Sequence, residues 1–167
     1  MIRSILVRRP SALILTVLVA VLTLLPSACG AAVAAGTGSV FVNKHVCPAG
    51  FPADASELKF ARYCQGDSHA HGDGNGFLFV LVTDRASFQQ KTGQLSPHAV
   101  TWDGVPAQVR TSIVETIPSG FGTPVVFCQG NNGSSNFERM VLHTGNTIRL
   151  NLVAGGLAYC DWYNIRR

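Results

Sequence analysis

No serine sits in a Gly-x-Ser-x-Gly elbow, and no His/Asp partner set can be argued from spacing, so the chain offers no hydrolase machinery. The Gly/Asn-rich run from Gln129 to Ser135 has no P-loop lysine, which leaves no nucleotide site. There is no Cys-x-x-Cys, which argues against zinc. The 13 Lys and Arg residues are scattered and form no stripe, so the high pI of about 9.0 is no sign of nucleic-acid binding. After the first 34 residues no further long apolar run occurs, so no membrane span is expected in the processed chain. No sortase-type sorting signal closes the sequence, and no cofactor is expected.

The one long apolar run is N-terminal. Arg3, Arg8 and Arg9 precede Ser11–Leu25, and Ala32-Val33-Ala34 supplies an A-x-A cleavage pattern, so residues 1–34 read as a secretory signal peptide. Leu25-Pro26-Ser27-Ala28-Cys29 resembles a bacterial lipoprotein box with Pro26 in place of its leucine. Cys29 therefore has two readings, acylation as a lipid anchor or loss with the leader. Without Arg3, Arg8 and Arg9 the charge of the exported chain is close to neutral, with ten basic residues against nine acidic. Residues 35–39 form a short flexible lead-in, and 40–167 have the length of one domain.

Four cysteines remain after export: Cys47, Cys64, Cys128 and Cys160. An even number in an oxidising compartment reads as two disulfides. Of three possible pairings, Cys47–Cys64 with Cys128–Cys160 is favoured, joining the first strand to a short helix and two late strands to each other.

The periodicity is mostly that of strands. Val40–Cys47 alternates, and Asp54–Cys64 has a capping box (Asp54, Glu57) followed by an apolar face of Leu58, Ala61 and Tyr63. Phe77–Thr83, Ala99–Trp102, Ala107–Ile117 and Val125–Cys128 read as strands, with a turn at Asp103–Pro106. Phe137–His143 and Thr147–Val153 read as a hairpin, and Ala158–Ile165 as the closing strand. Asp161 and Tyr163 fall on its solvated face, and His45, His98 and His143 read as surface residues. About seven short strands with one helix after the first imply an all-β fold, an antiparallel β-sandwich.

Three polar residues interrupt the apolar rows. Lys44 shares a face with Val40, Val42 and Val46. Glu115 shares one with Ile113 and Ile117, and Asn164 shares one with Cys160 and Trp162. Burial drives lysine and glutamate toward their neutral forms. A neutral amine, a carboxylic acid and a carboxamide are together what an intramolecular isopeptide bond requires.

Val114-Glu115-Thr116-Ile117-Pro118-Ser119-Gly120-Phe121 resembles the E-T-x-x-P-x-G-[YF] signature of Cna B-type (prealbumin-like, SpaA-like) domains, found in surface proteins and pilins chiefly of Gram-positive bacteria. Val42-Asn43-Lys44 resembles that family's opening strand and Tyr163-Asn164-Ile165 its closing strand. The paired cysteines and the polar insertion at Asp67–Gly76 depart from the usual pattern. The resemblance implies an Ig-like Greek-key sandwich with Lys44 cross-linked to Asn164 and Glu115 as the proton-transfer residue. It implies a structural or adhesive module at the bacterial surface, with an extracellular ligand or surface component as partner and no enzymatic turnover beyond its own cross-link. The rival reading is a secreted metal-binding protein using His69 and His71, flanked by Asp67 and Asp73.

Overall fold

The computed structural model describes residues 36–64, 74–131 and 141–167. The leader, Cys29, and the loop holding His69 and His71 lie outside the described residues. So does most of the polar tip after Asn131.

Among the described residues, nine strands form two facing sheets, with one helix on the outside. The first sheet has the order β4-β1-β9-β6-β7 and the second the order β3-β2-β5-β8. In the first sheet, β1 (Thr37–Cys47) lies between β4 (Ala99–Pro106) and β9 (Leu157–Ile165). β6 (Val125–Asn131) and β7 (Val141–Thr144) complete it. The second sheet comprises β2 (Leu78–Thr83), β3 (Ser87–Lys91), β5 (Arg110–Thr116) and β8 (Thr147–Asn151). The expected all-β sandwich is what the chain forms. It is not wholly antiparallel, because β1 and β9 run parallel from Ser39↔Leu157 to Cys47↔Ile165.

Alternation builds the core. Val40, Val42, Val46, Phe79, Leu81, Val100, Trp102, Ile113, Val126, Ile148 and Trp162 all point between the sheets and pack together. A second cluster lies on the outer face of β1, β9 and β6. There α1 (Glu57–Cys64) lays Phe60 against Phe127 and Tyr163, and Cys47 bonds to Cys64. Cys128 bonds to Cys160 across the β6/β9 ladder, where the two residues sit directly opposite. Both favoured pairings are present.

Several boundaries differ from the sequence reading. β1 starts at Thr37, because Thr37 and Gly38 pair with Pro106 and Val105, so most of the expected lead-in is strand. Asp103-Gly104 is no turn. The register between β1 and β4 slips there, Gly104 takes a positive φ of 67°, and the strand carries on as a bulge to Pro106. Pro106 is tolerated because β4 is an edge strand.

The helix starts at Glu57, with the Ser56 carbonyl accepting from the Lys59 and Phe60 amides, and it buries Phe60 and Cys64. Leu58 and Tyr63, expected on its inner face, are exposed. The expected hairpin is not one. β7 pairs with β6 and β8 with β5, so residues 145–146 step from one sheet to the other.

Candidate functional site

Lys44, Glu115 and Asn164 converge in the middle of the sandwich. β1 and β9 bring Lys44 opposite Trp162 and Val46 opposite Asn164, and β5 supplies Glu115 from the facing sheet. All three side chains are effectively sealed from solvent, Lys44 at 1% and the others at 0% exposure.

The carboxyl of Glu115 is the hub. Its Oε1 lies 3.5 Å from Lys44 Nζ and accepts a 2.8 Å hydrogen bond from Asn164 Nδ2. Its Oε2 accepts a 2.7 Å bond from the indole N–H of Trp162. The amine also donates to the backbone carbonyls of His45 (3.1 Å) and Trp162 (3.2 Å), and rests 4.6 Å from the centroid of the Phe77 ring. Among the described residues, the Asn164 carbonyl oxygen finds no donor.

Backbone contacts pin each member. Asn146 accepts from the Glu115 amide through its carbonyl (2.8 Å) and donates to the Glu115 carbonyl through its side chain (3.4 Å). The Lys44 amide donates to the His98 carbonyl at 2.7 Å. Phe77 is set under the amine by buried Thr92, whose hydroxyl accepts from the Phe77 amide (3.0 Å) and donates to the Gly74 carbonyl (2.6 Å). A side chain at 74 would meet the Lys44 carbonyl at 2.6 Å, so this approach requires glycine.

The electrostatics follow from desolvation. Burial pushes Lys44 down to about 7, against the opposing pull of Glu115. Burial pushes Glu115 up, opposed by Lys44 and by the bonds from Trp162 and Asn164. Burial thus disfavours both charges and moves the pair toward neutral amine and protonated acid. A neutral amine has two N–H donors. The two backbone carbonyls match them in number, leaving the lone pair without a claim from either.

The other face of β9 is not the solvated one expected. Asp161 and Tyr163 are buried, not solvated, and His45 is buried beside them. His45 Nε2 lies 2.9 Å from Asp161 Oδ1 and its ring stacks on Tyr163 at 4.6 Å. Asn43 also donates to Asp161 at 3.2 Å. α1 and the loop before it cover part of this face, something the alternation of β9 alone cannot reveal. Phe77 and Trp162 were legible only as core residues. Among the described residues no cluster of three or more His, Cys, Asp or Glu could hold a metal ion. No helix among them is long and apolar enough to cross a membrane.

No family model and no curated protein matches the chain. Among solved structures it is similar to a bacterial adhesin from Mobiluncus mulieris containing intramolecular disulfide, isopeptide and ester bond cross-links. That likeness has 12% identity and a TM-score of 0.41 over 78% of this chain and 41% of the adhesin chain. It is also similar to the major pilin from Streptococcus pyogenes, at 11% identity and a TM-score of 0.37 over 78% of this chain and 48% of the pilin. A second major pilin protein of that species aligns at 11% identity with a TM-score of 0.40, over 79% of this chain and 46% of that one. The chain spans less than half the length of these structures.

Proposed function

We propose that this protein is an exported structural or adhesive module of the bacterial surface, and that an isopeptide bond between Lys44 and Asn164 joins its first strand to its last. The observation that carries the reading is the meeting of an amine, a carboxyl and a carboxamide on one oxygen inside an otherwise apolar core. An isolated buried charge is costly, and an ion pair there is often no better than a hydrophobic pair. A chemical use accounts for retaining all three groups.

The step balances as a transamidation. Lys44 Nζ attacks the Asn164 side-chain carbonyl carbon, and Glu115 takes one amine proton and delivers one to the departing nitrogen. The new N–C bond replaces the old one, ammonia leaves, and Glu115 ends in its starting state. In its protonated form Glu115 offers a donor to the amide oxygen once the carboxamide turns over, and that oxygen has no other partner among the described residues. Folding supplies the proximity, worth about 7–11 kcal/mol of barrier in well-oriented systems. Residues 1–34 supply the export signal, and the extracellular ligand or surface component is left to the loops.

Intact mass of the exported protein tests this directly. Wild type should weigh one ammonia less than its sequence with two disulfides. Lys44→Ala, Glu115→Ala and Asn164→Ala should each retain that mass and migrate more slowly on a reducing denaturing gel. A wild-type chain of full mass, migrating with the Lys44→Ala variant, would remove the proposal.

A further inference from the structure

We infer that Trp162 is a positioning residue for the cross-linking step, and that its indole N–H decides which oxygen of Glu115 carries the proton. This rests on the isopeptide reading above and adds a fourth side chain to it.

The geometry is specific. Trp162 is fully buried and its ring is held edge-on against Phe79, with centroids 5.2 Å apart and planes at 81°. From that position Nε1 reaches Glu115 Oε2 at 2.7 Å, while the backbone carbonyl of the same residue accepts from Lys44 Nζ at 3.2 Å. One residue thus orients both the acid and the nucleophile. The other buried indole N–H, that of Trp102, has no partner among the described residues, so hydrogen bonding does not follow automatically from burial of a tryptophan here.

An indole N–H can only donate. The oxygen it faces must therefore accept, and a carboxylic acid has one accepting carbonyl oxygen and one hydroxyl. Oε1 accepts from the Asn164 N–H in this arrangement, but that donor leaves once the carboxamide turns over. Trp162 holds Oε2 throughout, so in the reactive arrangement the acidic proton resides on Oε1. That is the oxygen within reach of both the Lys44 amine and the Asn164 carboxamide. The alternative tautomer would put the proton on the far oxygen, pointed at a donor and away from the reacting atoms. Trp162 also stops the carboxyl from rotating about its own axis. The indole touches no atom whose bonds change, so its effect passes through Glu115.

The discriminating substitution keeps the ring and removes only the N–H. Benzothienylalanine incorporated at position 162 of the full chain is nearly isosteric, and Trp162→Phe is the simpler companion. Pulse-labelled chain is chased and sampled, and cross-linked and open forms are separated on a reducing gel. The benzothienyl protein should form both disulfides and melt as wild type does in a Lys44→Ala background, yet cross-link about ten- to a hundredfold more slowly, less than the roughly 10²–10⁴-fold that a placed acid–base group itself contributes, because Glu115 is still present. Its rate should also persist to higher pH, because the lost donor had favoured ionised Glu115. An unchanged rate and pH profile in the benzothienyl protein, alongside a wild type that does cross-link, would overturn the role of Trp162 alone. A wild type that never cross-links would overturn this inference together with the reading beneath it.

Discussion

Lys44 and Glu115 make stability depend on pH in an unusual direction, visible when the cross-link is blocked by Asn164→Ala. Burial raises Glu115 above its ordinary 4.5, so between there and the folded value the native chain holds a proton that the unfolded chain has released. Stability therefore falls as pH climbs from about 4.5 toward neutrality. Burial lowers Lys44 from 10.5 to about 7, so at alkaline pH the unfolded chain holds the extra proton and stability recovers as pH approaches 10.5. Urea titrations of Asn164→Ala across this range should show a trough near neutral to mildly alkaline pH. Adding Lys44→Met and Glu115→Gln should flatten it, and a trough that survives those changes would place the titrating groups elsewhere. These residues could be picked out from sequence because the inward rows of β1, β5 and β9 are strictly periodic, and a polar residue in such a row stands out. His45, Asp161 and Tyr163 could not, since what buries them belongs largely to other segments.

At the scale of elements, the outer cluster depends on α1. Phe60 is its buried anchor, packed on Phe51, Phe127 and Tyr163, and Cys64 ties the helix end to the end of β1. Phe60→Ala should cost about 3–5 kcal/mol through the lost burial and the cavity left behind. Cys64→Ser should cost about 3 kcal/mol, the loop-entropy figure for a bridge across some 17 residues. Chemical denaturation of the two single variants and the double variant checks this. Since Phe60 and Cys64 belong to one packed cluster, the double should cost less than the sum of the singles. Full additivity would show the helix to be docked by two independent contacts. The helix and its tether were readable from the cysteines, but its inner face was not. Leu58 and Tyr63 look like the apolar stripe, and only the docked orientation selects Phe60 instead. The Asp-Gly bulge and the step between β7 and β8 were hidden for a similar reason. The same dipeptides serve turns and bulges, and pairing partners decide between them.

For the whole molecule, the parallel alignment of β1 and β9 sets how load would travel. Parallel strands place Thr37 and Ile165 at opposite ends of their shared ladder, so tension applied outside them shears that ladder along its length. A bond from Lys44 to Asn164 would carry the tension from β1 directly into β9, leaving β2 to β8 off the load path. It would also close a loop of about 120 residues, restricting the unfolded chain by roughly 4–5 kcal/mol by analogy with disulfides. Pulled between handles on its termini, cross-linked protein should give no unfolding step. Lys44→Ala under reducing conditions should release the enclosed segment, on the order of 400 Å at about 3.3–3.6 Å per residue. With the disulfides intact, the loops they close across separations of 17 and 32 residues stay shut, and the release should shorten to on the order of 250 Å. A wild-type chain that extends like the variant would mean that no covalent link joins its opening strand to its closing one.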